Sequence, residues 1–197
     1  MKIAVFDFDG TIYKKDSLIE FCKYMYFKSP WRMVFLLLQL MALIAYKMKL
    51  LSTTKFKQVF LIYLTGINKE QLRLYVNDFW EKEKGNFNPE VLHFIEKIKE
   101  ENIALVAATA SPDFMFDDLS QRLGFYKWIA TKTLYAGSKY SIEGVNCRGE
   151  EKLRRLDMEV DAPEIVYAFS DNADDDTLLK KAQKAYLITN NKIQEFK

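Results

Sequence analysis

Histidine is almost absent: the 197 residues contain one, His93, so a zinc site built on paired histidines is excluded. A Ser-His-Asp or Cys-His centre would have to use that residue, which lies beside Leu92, Phe94 and Ile95 in a helical pattern and reads as a half-buried helix side chain. Cysteine is nearly as scarce. Cys22 and Cys147 stand far apart without a CxxC spacing, which argues against a disulfide framework and for a reducing compartment, the cytoplasm. A surplus of one charge is missing too, since 29 Lys and Arg against 27 Asp and Glu leave +2, too little field to gather nucleic acid. No nucleic-acid partner is expected. A secretory leader is not expected either, because Asp7 interrupts the opening apolar run so early. With imidazole and thiol chemistry set aside, catalysis would fall to carboxylates, hydroxyls and lysines.

What is present is apolar bulk: 49% hydrophobic and 15% aromatic residues suffice for the core of one α/β domain with a modest insertion. Residues 3–6 form a short apolar run ending at a polar cluster with Gly10, the pattern of a strand buried on both faces and followed by a turn. Residues 103–108 (IALVAA) end in Thr109-Ala110-Ser111-Pro112, and residues 165–169 (IVYAF) end in Ser170-Asp171-Asn172. A further strand is expected at 186–188. Helical patterns fall at 90–100, 113–123, 150–156 and 174–182. This alternation predicts a parallel sheet flanked by helices, with ligands beyond the carboxyl ends of the strands, where all three polar clusters lie. Residues 132–135 and 139–142, joined through Gly137-Ser138, read as a small antiparallel hairpin.

Residues 14–85 lack this alternation and read as an inserted helical cap, leaving 1–13 and 86–197 as the core domain. Within the cap, residues 33–46 (MVFLLLQLMALIAY) hold Gln39 as their one polar residue, bracketed by Arg32 and Lys47. This stretch is shorter than the roughly 20 residues of an ordinary membrane span. A helix apolar all round packs in a core or at a subunit interface, and the neighbouring lysines open a membrane-surface alternative.

The chemistry concentrates in Asp7-Phe8-Asp9-Gly10-Thr11. Two carboxylates one residue apart after a buried strand repel each other. They make sense together if one attacks while the other handles protons, Gly10 permitting the sharp turn that follows.

Here the chain resembles the haloacid dehalogenase-like hydrolase superfamily, whose first motif is DxDG[TS]. Thr109 in LVAATASPDF, Lys152 in NCRGEEKLRRL and Asp171 with Asp174 and Asp175 in AFSDNADDDTLL match the remaining motifs in order. The resemblance therefore covers nearly the whole chain. It implies a Rossmann-like core with an α-helical cap, similar to the phosphoserine phosphatase-like branch, and phosphomonoester hydrolysis with Mg²⁺. The roles implied are Asp7 as nucleophile, Asp9 as acid and base, and Mg²⁺ held by Asp7, the Asp9 carbonyl and Asp171, with Asp175 behind them. Lys152, the Thr109 hydroxyl and the Ala110 N–H would hold phosphoryl oxygens, and Gly10, Thr11 and Asp16 complete the implied substrate contacts. Ser170 before Asp171 and Asn172 after it depart from the family's G-D-[SG] pattern, from which a local backbone adjustment is expected.

In that branch an acid after the first motif, here Asp16 or Glu20, receives the substrate amine, and a cap arginine receives the carboxylate. The corresponding stretch here, Thr54-Lys55-Phe56-Lys57-Gln58, offers lysines instead. The apolar cap and Lys15-Asp16-Ser17 resemble bacterial relatives acting on phosphatidylglycerophosphate. The expected partner is thus a phosphorylated small molecule or lipid head group, with peripheral membrane contact at the cytoplasmic face or a homodimer through the cap. A phosphomutase or phosphotransferase, and a non-catalytic phosphate-binding module, are the alternatives.

Overall fold

The structure, a computed structural model, describes residues 1–196; Lys197, the last residue of the expected core domain, lies outside the described residues. Its centre is a six-stranded sheet of β1 (Lys2–Phe6), β2 (Ala104–Pro112), β3 (Lys127–Thr131), β6 (Glu164–Ser170), β7 (Lys184–Thr189) and β8 (Lys192–Glu195). The order is β3-β2-β1-β6-β7-β8, parallel except for β8. The other two strands, β4 (Thr133–Ala136) and β5 (Lys139–Ile142), form the separate hairpin expected around Gly137-Ser138. Edge strands β3 and β8 were not expected from the sequence. The turn into β8 uses Asn190 and Asn191, both at positive φ (53° and 62°), a conformation asparagine tolerates better than most residues and one suited to tight hairpins.

Successive residues of β1 face opposite sides, as a pleated strand requires. Ile3 and Val5 pack with Leu153 and Leu156 of α7 (Glu150–Glu159) and with Leu178 and Leu179 of α8 (Asp176–Lys181). Ala4 and Phe6 belong to the opposite core, with Val91, Ile95 and Ile98 of α5 (Pro89–Glu100) and Leu119 of α6 (Asp117–Leu123). The expected helix at 113–123 is broken, since residues Asp113–Met115 form a 3₁₀ turn before α6. Similarly, a 3₁₀ turn at Ala173–Asp175 precedes α8. His93 is exposed on α5 rather than half-buried.

Between β1 and α5 lie α1 (Ser17–Lys28), α2 (Leu36–Lys47), α3 (Thr53–Phe60) and α4 (Lys69–Lys82). Side chains start three of them: Asp16, Ser52 and Asn68 each accept a backbone N–H of the following first turn. This helical layer shares a core with the sheet. Trp80 of α4 packs edge-on against Phe8 at 5.5 Å and donates its indole N–H to the Met115 carbonyl at 2.6 Å.

Core burial of residues 33–46 is contradicted. Pro30–Phe35 is 3₁₀, and the only buried residues of α2 are Gln39 and Ala42. Leu36, Leu37, Leu38, Leu40, Met41 and Ile44 face solvent. The inversion has a local cause: the Gln39 amide donates to the Phe60 carbonyl at 2.7 Å and its oxygen accepts from the Tyr26 hydroxyl at 2.6 Å, so the polar side chain turns inward.

Candidate active site

Register places the three polar clusters on one rim. Phe6 of β1 stands beside Ala107 of β2 and Phe169 of β6, so the residues that follow all three strands emerge together. The Asp7 N–H still bonds the Phe169 carbonyl at 2.8 Å, which fixes the point where the first loop leaves the sheet. Phe8, between the two aspartates, turns into an aromatic cluster with Trp80, Phe116 and Trp128, while Asp7 and Asp9 line a cavity of about 510 Å³. The core thereby orients both carboxylates through the residue that separates them.

Asp7 is buried. Its Oδ1 lies 2.8 Å from the Lys152 Nζ and accepts the Phe8 N–H at 2.7 Å. Lys152 also reaches Asp175 Oδ2 at 2.6 Å, and the Ser170 hydroxyl donates to that same oxygen at 2.8 Å. Burial works against the Lys152 charge, yet the carboxylates of Asp7 and Asp175 hold its ammonium above the usual lysine value. Burial raises the Asp7 pKa, with Lys152 opposing it. Ser170, the departure from the family pattern, thus supports Asp175 and also accepts the Asn172 N–H at 3.1 Å.

Asp9 has different company. Its Oδ1 accepts the Ser17 N–H at 2.7 Å, and its Oδ2 accepts the Ser111 hydroxyl at 2.6 Å and the Thr109 hydroxyl at 3.4 Å. The Ser17 hydroxyl in turn donates to Ser111 at 3.0 Å. Burial first, and then the Asp16 charge, push the Asp9 pKa up to about 6.

Asp171 is also raised to about 6, by burial and then by the Asp7 charge. Gly10 makes room for it: at φ +78°, a β-carbon on Gly10 would lie 2.0 Å from Asp171 Oδ2. Lys152 pairs with Asp7 and Asp175, whereas Asp171 has no ion-pair partner among the described residues and faces the charge of Asp7, a position a divalent cation would suit. Hard carboxylate and carbonyl oxygens are the donors Mg²⁺ takes. Among the described residues no three carboxylate, imidazole or thiolate side chains are grouped to hold an ion. Asp7, Asp171 and the Asp9 carbonyl would be such oxygen donors at this rim. Asp175 is engaged by Lys152 and Ser170.

The remaining expected residues divide. Asp16 and Ala110 line the cavity, Asp16 while also capping α1. Thr11 and Thr109 are fully buried and lie outside its lining, and the Thr11 hydroxyl has no partner among the described residues. Glu20 pairs with Lys15 and Lys23 and does not line the cavity. Among the lining residues given no role from the sequence are Ser111, Lys57 and Arg148. Lys57 of α3 donates to the Ala110 carbonyl at 2.5 Å, and burial lowers its pKa to about 8. Arg148 is held by Asp174 at 2.5 Å. Ser111 and Arg148 stand within the quoted second and third motifs, and Lys57 within the stretch 54–58 that corresponds to the family's cap arginine, where the sequence offered two lysines without choosing between them.

Residues 4–180 match the model of the haloacid dehalogenase-like hydrolase family, which makes this rim that of a hydrolase. The chain belongs to that family. It is 29% identical to Protein CicA of Caulobacter vibrioides over 94% of this chain and 86% of that protein. A protein of unknown function from Bordetella pertussis superposes with a TM-score of 0.77 at 17% identity, covering 93% of this chain and 87% of the other. A phosphoserine phosphatase solved as an analogue of its phospho-aspartyl intermediate superposes at 0.61 with 16% identity, covering 93% and 84%. These likenesses show the fold.

Proposed function

We propose that this protein is a Mg²⁺-dependent phosphomonoester phosphatase working through an aspartyl-phosphate on Asp7. The observation that carries the reading is the pairing of two carboxylates from one loop in unlike surroundings. Asp7 faces the Lys152 ammonium at 2.8 Å, and Asp9 sits in a chain of hydroxyls with its pKa near 6. The similarity to a phosphoserine phosphatase captured as a phospho-aspartyl analogue supports the same chemistry.

The Asp7 carboxylate attacks phosphorus as the ester P–O bond breaks, and protonated Asp9 gives its proton to the departing alkoxide. Asp9 then takes a proton from the water that attacks the aspartyl-phosphate, releasing inorganic phosphate and restoring both carboxyl groups. Lys152 offsets charge on Asp7 and on the phosphoryl oxygens. Mg²⁺, when bound, supplies the rest of the charge neutralisation between nucleophile and dianion.

The substrate in this reading is a small-molecule or lipid-head phosphate, with a phosphatidylglycerophosphate-like ester favoured over phosphoserine. Leu18, Tyr46 and Phe56 give the cavity an apolar cap-side wall. Neither cap arginine is available as a carboxylate clamp: Arg32 donates to the Tyr63 and Thr65 carbonyls, and Arg73 pairs with Asp118. The cytoplasm is the proposed location.

The test is a panel of phosphate esters with Mg²⁺ and with chelator. Chelation and Asp7→Asn should each abolish turnover, and Asp9→Asn should lower it by about 100-fold or more. Hydrolysis that persists in Asp7→Asn would rule out the covalent route. Strong turnover of phosphoserine beside none of phosphatidylglycerophosphate would reverse the substrate order.

A further inference from the structure

The cap turns its most apolar helix outward. On α2 and at the residue that follows it the exposed side chains include Leu37 (67%), Met41 (58%) and Met48 (64%). So large an unpartnered apolar face marks an interaction surface. Its occupant is indicated by charge. Between Phe21 and Lys69 there is no Asp or Glu, while Lys and Arg occur at 23, 28, 32, 47, 49, 55, 57 and 69, in a chain whose overall charge is only +2. Lys47, Lys49 and Lys55 are exposed and make no ion pair among the described residues. A second copy brought against this face would set lysines near lysines. An anionic lipid surface complements both the apolar face and its basic rim.

The geometry favours lying on the surface over crossing it. Gln39 ties α2 to Phe60 and Tyr26, and α3 returns directly to the catalytic cavity, where Tyr46, Thr53, Phe56 and Lys57 form part of the wall. A second, apolar groove of about 360 Å³ runs among α1, α2 and α3, lined by Leu18, Leu36, Leu40, Leu43 and Phe60. It shares Asp16, Leu18, Phe56 and Lys57 with the catalytic cavity. The exposed helix, the groove and the carboxylates therefore follow one another without a break.

We propose that the outer face of α2 seats the protein on an anionic bilayer, and that the groove carries the apolar part of a lipid monophosphate from that surface to Asp7. The second half of this proposal rests on the phosphatase reading, whereas the first is independent of it.

Docking is measured on the full chain as the Asp7→Asn variant, which separates binding from turnover. It should sediment with vesicles of phosphatidylcholine plus phosphatidylglycerol, and weakly with phosphatidylcholine alone. Paired Lys47→Ala and Lys49→Asn should weaken this binding about 25-fold, about fivefold for each lysine. Asparagine is chosen because Lys49 has a φ of 61°. Leu37→Asp with Met41→Asp should abolish sedimentation while leaving the circular dichroism spectrum of the fold unchanged. No sedimentation of the parent, or equal sedimentation of the Leu37/Met41 variant, overturns the docking. So does a parent dimer that these substitutions dissociate, since the occupant would then be a second copy.

In the otherwise wild-type protein, Leu43→Trp should fill the groove. It should lower turnover of a long-chain lipid phosphate in vesicles by about tenfold or more and spare a soluble aryl phosphate. Equal loss on both substrates overturns the groove assignment. A protein that docks but hydrolyses no phosphate ester refutes the phosphatase reading and leaves the docking intact.

Discussion

At the residue scale, the site depends on a side chain that is missing. Any β-carbon at Gly10 would occupy the space of the Asp171 carboxylate, 2.0 Å from Oδ2, and φ +78° adds backbone strain. Gly10→Ala should therefore displace Asp171 and lower Mg²⁺-dependent activity by about 10- to 100-fold, the scale on which disturbed ligand supports act. A metal titration of the variant checks this. Lys57 supplies a pH signature. Burial takes its pKa from 10.5 to about 8, so its positive charge at the cavity fades above that pH. KM for an anionic ester should rise as pH passes 8, and Lys57→Met should remove that limb of the profile. Stability moves the other way. Between about 8 and 10.5 the unfolded chain holds a proton on Lys57 that the folded chain has released, so the Lys57 contribution to stability grows as pH rises.

At the scale of elements, the loop after β1 is fastened by Phe8 within an aromatic cluster while its two neighbours serve the cavity. Phe8→Ala should destabilise the fold by about 3–5 kcal/mol, read from denaturant unfolding, because it removes a fully buried ring contacting Trp80, Phe116 and Trp128. Activity should fall with it as the carboxylates lose their common anchor. The inner strands were legible in the sequence because each is a continuous apolar run ending in turn chemistry. β3 and β8 lie at the sheet edges, are short and mix charge with bulk, so pattern alone did not separate them from loops. The Asn190-Asn191 pair was the available signal for β8. In α2 the apolar pattern was plain but its direction was not: the tertiary bonds of Gln39 chose which side faces inward.

At the scale of the whole molecule, the sheet brings Asp7, Asp9 and Asp171 to one rim, oxygen donors of the kind Mg²⁺ takes. Mg²⁺ should consequently stabilise the folded state, by about 2.7 kcal/mol at a concentration near 100 times its dissociation constant. Thermal unfolding with and without the ion measures this. Asp171→Asn should largely remove the shift by taking away one proposed ligand.

Whereas Lys152, in α7, was named only through the family resemblance, strand pattern was enough to put Asp7, Asp9 and the Asp171 cluster at one rim, because parallel strands bury apolar runs and discharge their polar residues at the same ends. It was also enough to mark a helical insertion lacking that alternation. That Ser111 meets Asp9 at 2.6 Å and Thr109 only at 3.4 Å was decided by the irregular end of β2, which puts Ser111 in the cavity lining and leaves Thr109 outside it. Lys57 reaches the cavity because α3 folds back over the sheet, and Arg148 because Asp174 holds it there, bringing together residues far apart along the chain. Such proximity follows from packing in three dimensions, and local periodicity carries no record of it.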